Sequence, residues 1–423
     1  MPQRSGHFWK MTRSTLRCKQ GRHSSAQKSP GHSTGCVARI ARFAMTRDVL
    51  IVGGGTVGLS IGFELVRRGT PVTLFEKETA GRGTSYQAAG MLAPDAEIEF
   101  EERELYDFNR ESLRRWPDFA DRVEAASGQS VDYRDEGTLI VADDRDAAEA
   151  LERLYEFQRD QGLDVEWLTG AEARDVEPFV APSLAAAVYA PSDHQVDNRR
   201  LVGALRTAFK AEGGTLHEET PVEAVVPDED VPAVRTAGGE RIEGNRVVVA
   251  AGVWSRELDG LTPDATPPVR PVKGQSLQLR SKRPFDLQHV IRGPEAYLAP
   301  KSDGRIVMGA TSEEMGFDTT VTAGGLYDLL EGGWEVVPGI RDLPVDETWA
   351  GLRPASRDHA PLLGRSAAPG VLMATGHYRH GILLTPITAE EMARLIRTGE
   401  TSDWLRPFSP RRFSDAKSPT RSA

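Results

Sequence analysis

The sequence predicts an α/β fold in which a parallel βαβ layer is joined to an α+β region of short strands. Three observations predict it. Residues 48–76 read as strand, glycine turn, amphipathic helix and strand. Residues 245–255 (NRVVVAAGVWS) add another wholly apolar strand. Five short strand-like runs, 137–142, 186–190, 276–280, 296–300 and 305–311, lie between polar or Gly/Pro turns. A length of 423 residues suits two ordinary domains with full-sized cores.

In chain order, residues 1–44 come first, with nine Lys/Arg, no acid and no helical apolar period. They read as a disordered extension or a mis-called start with Met45 as initiator, or as a removable targeting segment. The strand 48–52 then runs into Gly53-x-Gly55-x-x-Gly58, a helix ends at Gly69, and a second strand ends in Glu76, 18 residues beyond Gly58. The glycines allow a tight turn and close backbone approach, and the helix start at Thr56 and Val57 faces a pyrophosphate. Glu76 can accept both ribose hydroxyls while disfavouring a 2′-phosphate. This is a dinucleotide-binding unit, and by itself it does not separate NAD from FAD. The segment after the second strand separates them. From Glu76 and Lys77 the chain enters a long small-residue loop, EKETAGRGTSYQAAGMLAP, in place of the next helix, with the Thr84 and Ser85 hydroxyls free to meet phosphates. Such a loop fits FAD.

Residues 99–126 and 199–212 have helical composition and spacing, and a last helix is expected from about Gly381 to Arg397. The N–H groups around His380, Gly381, Ile382 and Leu383 would form its positive end and stabilise negative charge on a reduced flavin. His377 and His380 stand at i and i+3, but no acid or cysteine offers a third ligand nearby, so no metal is expected. Residues 406–423 read as a polar tail.

Composition narrows the function further. Beyond residue 44 the chain carries 43 basic against 62 acidic residues, which disfavours a nucleic-acid partner. No run of 18 apolar residues occurs and the mean hydropathy is −0.41, so membrane insertion is not expected. Cys18 and Cys36 both lie in the extension, leaving the rest without disulfide, cysteine–zinc or thiol-nucleophile chemistry.

The segments GRGTSYQAAGMLAP, VVVAAGVWS, WAGLRPASRDHAPLLGR (349–365) and ATGHYRHGILLTPITA (374–389) resemble, in the expected order, the D-amino-acid oxidase superfamily of FAD-dependent oxidoreductases. Within it they are most similar to the glycine oxidases of the thiamine pathway, from Met45 to about Leu405. The resemblance implies a discontinuous FAD-binding domain of the glutathione-reductase type (45–130, 197–257, 345–405) and a substrate domain on an antiparallel sheet (131–196, 258–344). It further implies flavin contacts at Ala89, Gly90, Met91, Gly252, Gly351, His377 and Tyr378, with an adenine contact at Val222. Arg353 would grip the substrate carboxylate bidentately, helped by the Tyr297 hydroxyl, and Arg379 would stand near the substrate mouth. His380, His359 and Ser312 depart from residues frequent in the family, a difference that bears on the substrate more than on the flavin. With no cysteine after Met45, the flavin is expected to be noncovalent.

The implied activity is oxidation of a small amino acid, glycine first, to its imine and glyoxylate. Dioxygen would be the acceptor and peroxide the by-product, in a cytoplasmic enzyme serving thiazole formation. The alternatives are a D-amino-acid or sarcosine-type oxidase or dehydrogenase, and a non-catalytic flavin-binding redox sensor. A homo-oligomer is compatible with the sequence.

Overall fold

The structure, a computed structural model, describes residues 48–99 and 102–413. The expectations for residues 1–44 and for the end of the tail therefore lie outside the described residues.

The first strand, Val49–Val52, sits inside a six-stranded sheet, parallel to Val72–Phe75 on one side and to Arg246–Val249 on the other. Its four residues are all apolar because both of its faces are covered. Val49 and Ile51 pack among the helices Thr56–Arg67, Asn198–Ala211 and Thr385–Thr398. Leu50 and Val52 face the opposite layer, a three-stranded sheet that includes Val222–Val226 and Ala233–Thr236.

A second, eight-stranded sheet is largely antiparallel, with one parallel pair between Val290–Arg292 and Thr138–Ala142. One of its faces buries Leu139, Leu277, Leu298 and Met308 beneath the helix Ala323–Val336. The other face is covered at one end by the helix Arg145–Asp160, over Ile140, Ala142, Val188 and Ala190, and its open part borders a cleft.

Several boundaries differ from the sequence reading. The expected strand 276–280 is the end of an eleven-residue strand, Arg270–Arg280, whose first half holds Pro271, Lys273 and Gly274 and so lacks an apolar run. It pairs along its length with Val345–Ala355, which therefore belongs to the eight-stranded sheet and not with the cofactor-binding segments. The last helix runs Thr385–Thr398, a turn later than expected. Started at Gly381, it would place Pro386 where an N–H must reach the Ile382 carbonyl, and proline has none to give. The helix expected at 99–126 runs Arg103–Ser127. The glycine-rich loop contains one short helix, Thr84–Gln87. The described part of the tail is packed: Phe408 is buried against Phe108 with ring centres 4.6 Å apart, and Arg412 pairs with Asp358 at 2.8 Å.

Candidate active site

A cleft of about 720 Å³ runs from the glycine turn of the parallel sheet to the open face of the eight-stranded sheet. At its first end, Gly53 takes φ +108°, and a Cβ there would lie 2.4 Å from the Ala250 carbonyl oxygen. Gly58 lets the helix press against the strand, since its Cβ would fall 1.9 Å from the Gly53 oxygen. Glu76, at the end of the second strand, accepts the Gly54 N–H at 2.7 Å and the Glu78 N–H at 3.1 Å. Each oxygen thus keeps lone-pair capacity while the carboxylate is held in one orientation. Lys77 places its ammonium 3.6 Å from the centre of the Trp254 ring. Val222 and Gly252 line the same end. The cradle, the helix start and the ribose-height carboxylate fit a dinucleotide, and the length of the cleft beyond them fits a flavin.

In the middle of the cleft, Thr84 and Ser85 are not free as expected. Thr84 Oγ1 donates to the Leu352 carbonyl at 2.8 Å, and Ser85 Oγ accepts the Thr56 N–H at 3.0 Å. They tie the loop to the helix start and to the second sheet. Ala89, Gly90, Met91 and Gly351 line this stretch.

The far end is built on sheet register. Arg292, Tyr297, Gly309 and Ser276 pair in one row across four strands. Arg353 lies on the neighbouring strand, where Gly274 pairs with Gly351. Gly274 has no side chain because its Cβ would sit 2.5 Å from the Arg353 guanidinium. Arg353 Nη1 donates to the carbonyls of Thr311 (3.0 Å) and Lys273 (3.4 Å), which aim the group while Nη2 and Nε have no acceptor among the described residues. Burial raises the Tyr297 phenol above its ordinary range, against the pull of nearby Arg353, so the hydroxyl is a neutral donor.

The roof comes from the last helix. Leu383's carbonyl accepts Ser112 Oγ at 2.6 Å and Trp116 Nε1 at 2.9 Å, fixing the turn before Thr385. The N–H groups of Gly381, Ile382 and Leu383 have no acceptor among the described residues, and Gly381 and Ile382 face the cleft. Burial drives the His377 imidazole down to about 3, with His380 adding to the effect, and drives His380 down to about 4, so both are neutral at pH 7. His377 Nε2 lies 3.2 Å from Thr388 Oγ1.

The cleft brings together nearly all of the residues singled out in the sequence. Gly58, His380 and Leu383 do not line it and act from behind its wall. Tyr378 and Arg379 line it, but Arg379 is already engaged by Glu97, Glu99 and Glu102. Sequence reasoning missed Glu97, Arg292 and Ser276. A strand register is the only signal that would have placed the last two beside Tyr297.

A model of the FAD dependent oxidoreductase family (DAO) matches residues 48–395. The glycine oxidase of Geobacillus kaustophilus is 37% identical over 364 residues, covering 86% of this chain and 96% of that enzyme. A crystal structure of glycine oxidase from the same organism aligns with a TM-score of 0.81, covering 87% of this chain and 99% of that one. The bifunctional protein ThiO/ThiG of Trichormus variabilis is 34% identical over 389 residues, 89% of this chain but 56% of its own length. With the cradle, the cleft and these likenesses in agreement, the chain belongs to the FAD dependent oxidoreductase family.

Proposed function

We propose that the protein oxidises a small amino acid, glycine first, to its imine, using FAD and dioxygen, in the cytoplasm and in the service of thiazole formation. The bound flavin supplies the two-electron acceptor for the hydride lost from the substrate Cα. The amine loses a proton, the imine is hydrolysed to glyoxylate and ammonia or consumed directly, and dioxygen leaves as hydrogen peroxide.

The observation that carries this reading is Arg353, half-buried on the open face of the sheet, held by two carbonyls and left with a free edge beside the Tyr297 hydroxyl. Such a guanidinium needs an anion, and a carboxylate fits its fork. Tyr297 donates to the same group. The neutral His377 and the free N–H groups of the last turn leave that roof electropositive without adding a full charge. Because the Cα hydrogen leaves as hydride, no side chain is required to take it as a proton. The likeness to glycine oxidases supports glycine as the substrate, and the likeness to ThiO/ThiG supports the metabolic setting. Among the described residues, no helix is long and apolar enough to cross a membrane.

Anaerobic addition of glycine, sarcosine and D-amino acids to the yellow protein tests the assignment. Glycine should bleach the flavin, and air should restore the colour with peroxide. Arg353→Ala should lose about 3 kcal/mol of transition-state binding and Tyr297→Phe about 1–2 kcal/mol, with the flavin spectrum kept. Near-normal kcat/KM in Arg353→Ala would sink the clamp and the reading with it.

A further inference from the structure

The cleft holds two more arginines that the proposed reaction leaves unused, and a carboxylate stands between them. Arg292 Nη1 donates to Glu97 Oε1 at 2.7 Å. Arg379 Nε lies 3.9 Å from Glu97 Oε2, its Nη2 donates to the Glu97 carbonyl at 3.3 Å, and its Nη1 meets Glu99 at 2.5 Å. Glu97, Arg292 and Arg379 all line the cleft.

Glu97 is aimed there by its backbone. The carboxylate of the buried Asp193 accepts the N–H groups of Asp95 and Ala96 at 3.0 Å each, and Gln158 Nε2 donates to the Asp95 carbonyl at 2.8 Å. The Glu97 side chain is 12% exposed. Burial would raise its pKa, but Arg292, His380 and Arg379 together bring it below the ordinary carboxyl range, so it is an anion at neutral pH. Glu99 and Glu102 back Arg379 from outside. With His380 neutral, two arginines face three acids.

Arg292 is also a register neighbour of Tyr297 and lines the same cleft, so a substrate held by Arg353 and Tyr297 would sit beside this cluster. A substituent on the nitrogen would enter the space beside Glu97. An apolar arm meets no charge penalty there, whereas an acidic arm meets an anion and finds Arg292 neutralised through its Nη1 and Arg379 held among Glu97, Glu99 and Glu102. We propose that Glu97 sets substrate specificity by withholding Arg292 and Arg379 from a second acidic group, so that the site accepts amino acids with one carboxylate and rejects N-carboxyalkyl amino acids. This inference rests on the amino-acid oxidase reading. Glu97 is a positioning residue here, acting through the arginines it occupies.

The test compares iminodiacetate with N-propylglycine, whose N-substituent is similar in size but uncharged, on the FAD-loaded protein. Wild type should favour N-propylglycine in kcat/KM by at least tenfold. Glu97→Gln should shift that ratio at least tenfold toward iminodiacetate, chiefly through KM, and adding Arg292→Gln should erase the gain. Calorimetry with diglycolate and methoxyacetate, which carry an ether oxygen in place of the amine, should show diglycolate gaining at least tenfold relative affinity in Glu97→Gln. A merely structural role would move both substrates together and leave these ratios unchanged, which would overturn the proposal. Should Glu97→Gln not fold, wild type alone decides: equal kcat/KM for the two N-substituted glycines refutes it. Glycine oxidised with unshifted ratios defeats only the role of Glu97, whereas a wild type that oxidises no amino acid defeats both readings.

Discussion

His377 and His380 show how a neutral roof is kept neutral. Both imidazoles are 3% exposed, and burial holds them uncharged far below the pH at which a free histidine protonates. Their folded pKa values, about 3 and about 4, lie under the unfolded value of 6.5. In that window the unfolded chain binds more protons, so the stability contributed is complete above pH 6.5 and is lost as pH falls toward 4. Each imidazole should cost on the order of 2 kcal/mol by pH 5. Urea unfolding at pH 7 and pH 5 should show this drop in wild type and a shallower one in His377→Gln; parallel losses would mean that the imidazole is not the titrating group. The histidines were visible in the sequence, but whether they bind metal, carry charge or stay neutral depends on burial, which a loop sequence does not disclose.

Among elements, the strand–turn–helix at 49–67 was the most legible, because the contacts that give it its glycine spacing are local. Gly58 meets Gly53 five residues away, and Glu76 returns to Gly54 across one βαβ unit. Gly58→Ala should force helix and strand apart and cost at least about 2 kcal/mol of stability together with flavin retention. Thermal unfolding and the FAD content of the purified variant measure both, and an unchanged melting temperature with full flavin would refute the close-packing role. The strand Arg270–Arg280 was half legible, since a sequence window rewards apolar runs and its first half is shaped instead by Arg353 lying over Gly274. Glu97 and Arg292 were not legible at all. They stand 195 residues apart and meet only once two sheets have formed.

Across the whole molecule, one sheet supplies the cradle, the other supplies the clamp, and the cleft exists because the chain passes between them repeatedly. The resemblance to known oxidases made this two-part architecture readable before any contact was known, while the pairing of Val345–Ala355 with the longer strand had to be seen. That pairing fixes Arg353 on a single wall, with its Nη1 anchored to two carbonyls. Glycine is achiral, and its two α-hydrogens are indistinguishable in reactivity to any symmetric reagent. Gripped by its carboxylate on one wall and with its amine held in the cleft, the molecule would lose that symmetry. One hydrogen would then always be delivered to the acceptor and its twin always kept. Glycine carrying a single deuterium in known configuration should therefore give glyoxylate that retains the label completely from one enantiomer and loses it completely from the other, read by mass spectrometry. Equal partitioning from both enantiomers would mean that the clamp does not hold the substrate through the chemical step.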